Sequence, residues 1–455
     1  MLITTKKSNQ PNIFYGSLMD MLDSNDPLIG LADVIDWSFI ESSLSNHYSK
    51  DNGRPAKPIR LMAGLLILKQ LENLSDESVV LQFKRNPYYQ YFCGFRDYSA
   101  SLPCDSTELV KFRNRIGKDG VDVIFRASVN IHGEVANDVR VIIDSTAQEK
   151  NITYPTDGKL AIRIINHLHK IAKSEGVALR RTYLKEIKEH RITLRFFRHP
   201  KKRTKAASAM KRLRTIAGVL IRDIERNITP DRLSVYQDKL EMFTKVISQK
   251  RDDKNKIYSL HESHIYAMAK GKDNKSYEYG TKASIVSTYT NGVIVGAIAH
   301  DTNMHDSKTL ESAIAHANSV RDNRPIKEAI CDRGYRGVRE VGNTKICIPA
   351  TPLKRDSDKE LEAKRAKFRR RAAIEPIIGH LKNDYRLARC YLKGFIGDQI
   401  NLLMAATAWN MKKWMNNFIY ALFMAKEYQL ALLLYARLEQ MILEFVCILY
   451  LRLQK

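Results

Sequence analysis

The sequence predicts an α/β fold, with a mixed sheet flanked by helices, a helical domain before the sheet and a long basic helical insertion within it. Short apolar runs rich in β-branched residues recur at 139–144, 277–300, 326–332 and 344–350, as expected for strands. Between and around these runs, apolar residues follow helical spacing. Strands that alternate with helices in this order are typical of a layered α/β domain and not of a helix bundle or a β-sandwich.

The composition indicates a polyanionic partner. The 455 residues suffice for two or three domains, and 75 Lys and Arg against 50 Asp and Glu give a formal net charge of +25. Such a field attracts nucleic acid first and anionic membranes second, and a basic protein without either partner is the alternative. The six cysteines form no CxxC pair, which argues against a zinc or redox site and favours a reducing cytosol.

Residues 1–130 are predicted to form a helical domain that binds DNA ends. RLMAGLLILKQLENL (60–74) has helical apolar spacing, and Ser75 after it suits the N-cap of a further helix. Asp105 and Glu108 have the spacing of a capping box at another helix start. Short helices with basic exposed faces suit DNA binding, while an ordinary helical bundle is the competing interpretation.

The first predicted strand, VRVIID (139–144), ends at Asp144, and a strongly basic helical stretch from about 160 to 256 separates it from the others. Within that stretch, residues 194–214 contain nine Lys or Arg, no acid and two adjacent phenylalanines. A charge run is usually a solvated face, but about five helical turns without an acid are better explained by contact with DNA phosphates. The DNA-binding candidates of this segment are Lys201, Lys202 and Arg203.

The next two β-rich runs, within 277–300, meet at Asn291-Gly292, which is the strongest short-range signal of a hairpin. At the other end of the chain, residues 417–455 carry apolar runs that are interrupted by charged residues. These interruptions predict amphipathic packing helices in preference to a membrane span.

Three carboxylates stand out by their context. Asp144 ends the first strand, Asp332 ends a later one before the turn RGYRG, and Glu375 lies on the helix after the last strand. Acids at the carboxyl ends of strands face the crevice in which α/β sheets bind ligands. Two Mg²⁺ or Mn²⁺ ions held there, about 4 Å apart, would suit phosphodiester chemistry. Each acid alone is more often a cap or turn residue, and only the trio in a basic protein favours a metal site.

Glu375 stands among cations in FRRRAAIEPIIGHLK (368–382). An Arg371–Glu375 ion pair would explain the acid but not the cations that continue along the same face. A track for DNA phosphates that includes a metal-binding acid explains both, and Pro376 leaves open whether Arg371 precedes the helix. The cations that fall within about 60° of one another on a helical wheel are Arg371, Lys382, Arg386 and Arg389.

Other polar residues could touch such a site. Asp306 could replace a member of the trio, but it is interpreted as the N-cap of the following helix. His261 and His264 have i, i+3 spacing without a third ligand, so no zinc site is predicted. Asp157 is interpreted as a turn residue. The residues concerned are Asn303, His305, Asp306, Asp157, His261 and His264.

Several motifs spread over roughly residues 20–415 carry a family resemblance. They are IDSTAQEKNITYPTDGKL (143–160), QKRDDKNKIYSLHE (249–262), YEYGTKASIV (277–286), DRGYRG (332–337) and RRRAAIEPIIGHLKNDYRLARCYLKG (369–394). Through them the sequence resembles the bacterial insertion-sequence transposases of the DDE type, in the IS-five branch of the IS-four-like group. The signature of that group is Tyr, two residues, Arg, three residues, Glu, six residues and Lys. It reads here as Phe368, Arg371, Glu375 and Lys382, so any role of a hydroxyl group at the first position is absent.

The resemblance implies an RNase H-like catalytic domain over 131–416, in which Asp144, Asp332 and Glu375 form the metal-binding triad. Arg371 and Lys382 would hold phosphates near the scissile bond. The implied reaction is water-driven cleavage at the terminal inverted repeats of the element, followed by attack of the freed 3′-OH on target DNA. The implied setting is a homodimer or larger oligomer on DNA, in the bacterial cytoplasm at the nucleoid.

Two other functions fit the same residues. A metal-dependent nuclease without strand transfer would carry the same three acids, and a joining assay separates it from a transposase. A catalytically inactive DNA-binding derivative is the third reading, which the three intact acids disfavour.

Overall fold

A computed structural model of the protein describes residues 17–49, 55–250, 252–272, 275–322, 324–349 and 357–453, apart from the side chains of 270–272, 275–276 and 430–453. Within these ranges seven helices precede the sheet. They are α1 (Leu18–Met21), α2 (Pro27–Val34), α3 (Trp37–Ser45), α4 (Ile59–Leu71), α5 (Asp76–Arg85), α6 (Pro87–Phe92) and α7 (Ser106–Asn130). Two predicted caps are confirmed: Ser75 accepts a hydrogen bond from the Ser78 N–H at the start of α5, and Asp105 and Glu108 form a capping box at the start of α7.

The elements that follow are the strands of a mixed sheet and the helices around it. They are β1 (Arg140–Lys150), α8 (Asp157–Ser174), α9 (Leu184–Thr193), α10 (Arg203–Asn227), α11 (Pro230–Ser248), β2 (Tyr266–Lys272), β3 (Lys275–Thr288), β4 (Ile294–His300), α12 (Leu310–Val320), β5 (Glu328–Ile330), β6 (Glu340–Val341), β7 (Thr344–Cys347), α13 (Asp358–Arg371), α14 (Ile374–Asn383), β8 (Arg389–Cys390) and α15 (Gly394–Leu453). The predicted α/β class, a mixed sheet with flanking helices, is therefore confirmed.

The sheet is antiparallel on one side and mainly parallel on the other. Strand β3 pairs antiparallel with β1, β2 and β4, and the β3–β4 hairpin turns at Asn291 and Gly292 as predicted. On its other edge β1 pairs in parallel with β5, which pairs in parallel with β7. Strand β1 is thus paired with β3 along residues 141–149, and on its other edge with β5 at residues 140–142 and with β8 at residues 149–150.

The prediction that the first strand ends at Asp144 is wrong, because β1 continues to Lys150. Its second half is polar in sequence but pairs with β3 as far as Glu149 opposite Gly280. A Cβ atom at Gly280 would lie 1.9 Å from the carbonyl oxygen of Gln148, so only glycine permits this close approach. Asp144 therefore lies within a central strand and not at its end.

Two separate hydrophobic cores occur in the described part of the chain. One unites the N-terminal helices, the sheet and the first part of α15. The other lies within 160–257, among α8–α11, and shares no residue with the first. We call α8–α11 the helical unit.

A buried ion cluster closes the base of the helical unit. The Lys150 ammonium, at the end of β1, lies 2.6 Å from Asp398 Oδ1 and 3.3 Å from Glu262 Oε2. His264 Nε2 lies 2.9 Å from the other Asp398 oxygen, and Gly394 N–H donates to Glu262. The chain thus leaves the sheet after Lys150 and comes back beside it at Glu262. The Lys150 ammonium also binds Asp398, near the start of α15.

We expect Lys150→Met to lower the free energy of unfolding by about 3–5 kcal/mol, because two buried carboxylates lose their cation. Lys188, exposed on α9, provides a matched control, and Lys188→Met should change that free energy by less than about 0.5 kcal/mol. Urea denaturation at neutral pH measures both values. Equal effects of the two substitutions would contradict a stabilising role for the cluster.

The C-terminal residues form one continuous helix, α15, where the sequence predicts several shorter amphipathic ones. Its first half packs in the large core, whereas Ile419, Tyr420 and Phe423 are exposed. No helix in the described ranges combines the length and apolar character that a membrane crossing requires.

Candidate active site

The structure brings Asp144 and Asp332 together through the register of two parallel strands. Ile142 of β1 lies opposite Ile330 of β5. Asp144 comes two residues after Ile142, and Asp332 comes two residues after Ile330. Asp332 lies two residues beyond the end of β5 with extended backbone, and its charge contributes to the raised pKa of Asp144. Asp332 is fixed further by a hydrogen bond of 2.7 Å that its Oδ1 accepts from the Gly334 N–H.

The electrostatics of Asp144 indicate an excess of negative charge. Burial raises the pKa of Asp144 to about 6, and the nearby charges of Asp332 and Asp306 add to this effect. The Ser145 N–H and the Arg371 guanidinium act in the opposite direction but do not restore the usual pKa. Carboxylate oxygens are the donors that a hard divalent cation prefers, so these residue types fit the Mg²⁺ or Mn²⁺ that their sequence context implies.

A third acid of this cluster is Asp306, and its interpretation as a helix N-cap is wrong. His305 occupies the N-cap position of the short 3-10 turn that begins at Asp306. The Asp306 carboxylate instead accepts hydrogen bonds from Lys282 Nζ and Ser145 Oγ, each at 2.9 Å on Oδ1. The sequence offers Asp306 as an alternative member of the trio but gives no sign of these contacts, because Ser145 lies 161 residues and Lys282 24 residues away.

Glu375 lies at the edge of the cluster. It is the second residue of α14, its side chain is 64% exposed, and its Oε1 lies 3.2 Å from Arg371 Nη2. Arg371, the last residue of α13, also places Nη1 3.9 Å from Asp144 Oδ2. The arginine therefore stands between Glu375 and Asp144. Across the described residues no three His, Cys, Asp or Glu side chains are close enough, as they stand, to hold one metal ion.

Comparison with known proteins bears on this arrangement. The family model of the transposase domain DUF772 matches residues 16–115, and that of the transposase DDE domain matches residues 253–411. The chain belongs to the DDE transposases. It is also 34% identical over 197 residues to "Uncharacterized protein ORF8 in nfe locus" from Rhizobium meliloti, covering 42% of this chain and 95% of that protein. No solved structure matches the chain.

The two matched regions divide the candidate acids of the transposase. Asp306, Asp332 and Glu375 lie within the DDE-domain match, whereas Asp144 and the helical unit lie between the two matches. The assignment of Asp144 therefore depends on its position beside Asp332 in the sheet.

The predicted basic track along one helix face is wrong for its second half. Helix α14 ends at Asn383, so it includes Lys382 but neither Arg386 nor Arg389. The next residues turn the chain back so that the side chains of Tyr385 and Leu387 are buried in the large core. Arg386 has a φ of 62° and donates a hydrogen bond to the Asn73 carbonyl, and Arg389 lies on β8.

The basic segment 194–214 is also less uniform than the sequence suggests. It consists of a 3-10 turn, a connection and the first part of α10, and Lys201, Lys202 and Arg203 are exposed. Two of its arginines pair with acids from elsewhere: Arg212 with Glu186 and Arg214 with Asp157. Lys202 Nζ lies 4.1 Å from the centre of the Phe196 ring.

A cavity of about 920 Å³ opens beside this segment in the helical unit. Its wall includes Phe197 and five cations, and none of the five forms an ion pair with any described residue. The cations are Lys159, Arg163, Arg191, Arg195 and Arg198. These five cations thus add to the basic surface that the predicted cations Lys201, Lys202 and Arg203 provide.

The remaining candidates have local roles. Asp157 pairs with Arg214, and His264 belongs to the buried ion cluster. His261 Nδ1 lies 3.0 Å from Ser259 Oγ, and Asn303 donates to the Ala267 carbonyl.

Proposed function

We propose that this transposase cleaves DNA at the terminal inverted repeats of its own insertion sequence and transfers the 3′-OH ends into target DNA. The observation that carries the proposal is that Asp144, on β1, and Asp332, two residues beyond the paired strand β5, follow matched positions of two parallel strands in a basic DDE transposase. The central position of β1 and the helical unit between β1 and β2 support an RNase H-like core with an inserted helical domain. The N-terminal helices would bind the DNA ends, and the protein would act as a dimer or larger oligomer.

Asp144 and Asp332, joined by Glu375, would hold the divalent cations. When bound, Mg²⁺ or Mn²⁺ lowers the pKa of an attacking water or hydroxyl group and stabilises the leaving 3′ oxygen. The fixed backbone of β1 and the Gly334 hydrogen bond to Asp332 keep two of the three carboxylates in position before DNA arrives. Such preorganisation removes the need to reorder these groups during the reaction.

Arg371 has a distinct part in this proposal. In the free protein its guanidinium neutralises Asp144 and Glu375. A scissile phosphate offers a stronger bidentate partner for guanidinium, so Arg371 would move to the phosphate and release Glu375 toward the two aspartates. Lys382, about two turns after Glu375 on α14, would contact a neighbouring phosphate of the same DNA strand.

The test is an assay with the element's own DNA ends. The purified protein is incubated with these ends and Mg²⁺, and the breaks are mapped; cleavage at the repeat boundary is expected. A second reaction supplies pre-cleaved 3′-OH ends and target DNA. Joined products support the transposase, whereas boundary cleavage without any joining would support the alternative nuclease.

We expect the triple substitution of Lys201, Lys202 and Arg203 by alanine to weaken binding to repeat and random DNA alike. These exposed cations would contact phosphates, which carry no sequence information. The slope of log affinity against log salt should become shallower by up to about 0.9 for each lost contact. Filter binding at several salt concentrations measures it, and an unchanged slope would show that the segment is only solvated.

A further inference from the structure

We propose that Asp306 is a further ligand of the divalent cation site formed by Asp144 and Asp332, and that Lys282 occupies its carboxylate when the cation is absent. This inference rests on the proposed function, because it assumes that the same site binds a cation. It assigns a role to a residue outside the predicted triad.

The geometry of Asp306 leaves one of its oxygens available. Oδ1 accepts hydrogen bonds from Ser145 Oγ and Lys282 Nζ. Oδ2 instead faces Gly334, 3.2 Å from the point where a Cβ atom of that residue would lie, and Asp332 Oδ1 is 2.9 Å from the same point. These two oxygens are therefore at most about 6 Å apart. Ligands of one Mg²⁺, each about 2.1 Å from it, can be about 4 Å apart, so a small side-chain rotation would let both bind.

A buried tyrosine provides the second observation. Tyr335 follows Gly334 and is 1% exposed, and its hydroxyl has no hydrogen-bond partner in the part of the chain that the structure describes. The Ser145 side chain lies near this hydroxyl. Burial raises the pKa of Tyr335, and the charges of Asp144 and Asp306 contribute in the same direction.

An unpaired buried hydroxyl is costly and rare in proteins, and it normally indicates an absent water or ion. If Asp144, Asp332 and Asp306 held a cation, a water of its hydration shell could donate a hydrogen bond to the Tyr335 hydroxyl. The three acids, the free oxygen and the unpaired hydroxyl therefore share one explanation.

Substitution of Lys282 distinguishes a cation-binding role of Asp306 from a purely structural one. Its ammonium lies 2.9 Å from Asp306 Oδ1 and also donates to the Met304 carbonyl. If Asp306 binds the cation, Lys282 competes with that cation for the carboxylate. Removal of the lysine should then tighten cation binding, whereas removal of the acid should weaken it.

The experiment measures Mn²⁺ binding to the full-length protein by electron paramagnetic resonance of the free ion. Asp306→Asn should weaken binding by at least about tenfold, and Lys282→Met should tighten it several-fold. The matched control is Asp301→Asn, because Asp301 is exposed, lies five residues earlier and makes none of these contacts. It should bind Mn²⁺ as the unsubstituted protein does.

Equal Mn²⁺ affinity of the Asp306→Asn and Asp301→Asn proteins would overturn the inference and leave the proposed function standing. Should Asp306→Asn fail to fold, Lys282→Met decides alone: tighter binding supports the proposal, and unchanged or weaker binding overturns it. Absence of Mn²⁺ binding by the unsubstituted protein overturns the inference. If that protein also cleaves no repeat DNA, the proposed function fails with it.

Discussion

Asp144→Asn is expected to lower Mg²⁺-dependent cleavage of repeat DNA by about three orders of magnitude or more, with DNA binding retained. The carboxamide keeps the shape of the side chain but removes the charge that would hold a cation. Asp332→Asn should have the same effect, because Asp144 and Asp332 each follow the paired residues Ile142 and Ile330 by two positions. Cleavage is measured with end-labelled repeat DNA, and binding with the same DNA in Ca²⁺.

Neither substitution should damage the fold in the absence of metal. Asp144 lies buried near two like charges, as its raised pKa shows, so a neutral group at this position relieves repulsion. The melting temperature of the metal-free Asp144→Asn protein should therefore equal or exceed that of the unsubstituted protein. The double variant should cost little more activity than either single one, since the acids act as a unit. Near-complete cleavage by either single variant would refute the two-aspartate site.

Glu375→Gln carries the second large effect that we expect. If Glu375 joins the two aspartates when DNA is bound, its amide should reduce cleavage by about two to three orders of magnitude. DNA binding should persist or tighten slightly, because one negative charge leaves a basic surface. Cleavage and binding are measured as for the aspartates. Glu362 on the neighbouring helix α13 is an exposed acid, and Glu362→Gln serves as the matched control.

The competing outcome for Glu375 follows from its contacts in the free protein. Its side chain is largely exposed and pairs with Arg371 four residues earlier, and such pairs stabilise a helix by only a few tenths of a kcal/mol. On that interpretation Glu375→Gln would leave cleavage at the level of the Glu362→Gln control. Asp306 would then be the first residue to test as the third carboxylate.

The local parts of the fold can be read from the sequence. The caps at Ser75 and Asp105 and the Asn291-Gly292 hairpin depend on residues within a few positions of one another, and all three occur as predicted. The length of β1 depends on pairing with β3, which is more than 100 residues away in the sequence. The second half of that strand is buried although its residues are mostly polar. It therefore has no apolar pattern that would predict a strand there.

The candidate site shows the same limit. Asp144 and Asp332 could be selected from sequence because each follows an apolar run. Asp306 could be named from sequence as an alternative, but its contacts could not be, since its partner Ser145 lies 161 residues away in the chain. The helical wheel assumes that the helix of Glu375 continues beyond Asn383, where it ends. A wheel cannot show that Tyr385 and Leu387 are buried in the core and turn the chain away from the helix axis. A count of charges within 194–214 likewise omits Glu186 and Asp157, which lie outside the segment and neutralise two of its arginines.

The closed base of the helical unit has an evolutionary consequence. Lys150 and Glu262 lie in contact although about a hundred residues separate them, so a short peptide could bridge the gap if those residues were excised. The sheet would keep its strands, and the excised piece would keep its own hydrophobic core. Related elements could therefore acquire, lose or exchange this piece as a cassette. The proposed DNA-contacting surface of the helical unit would then diversify at a different pace from the carboxylates proposed to hold the cations.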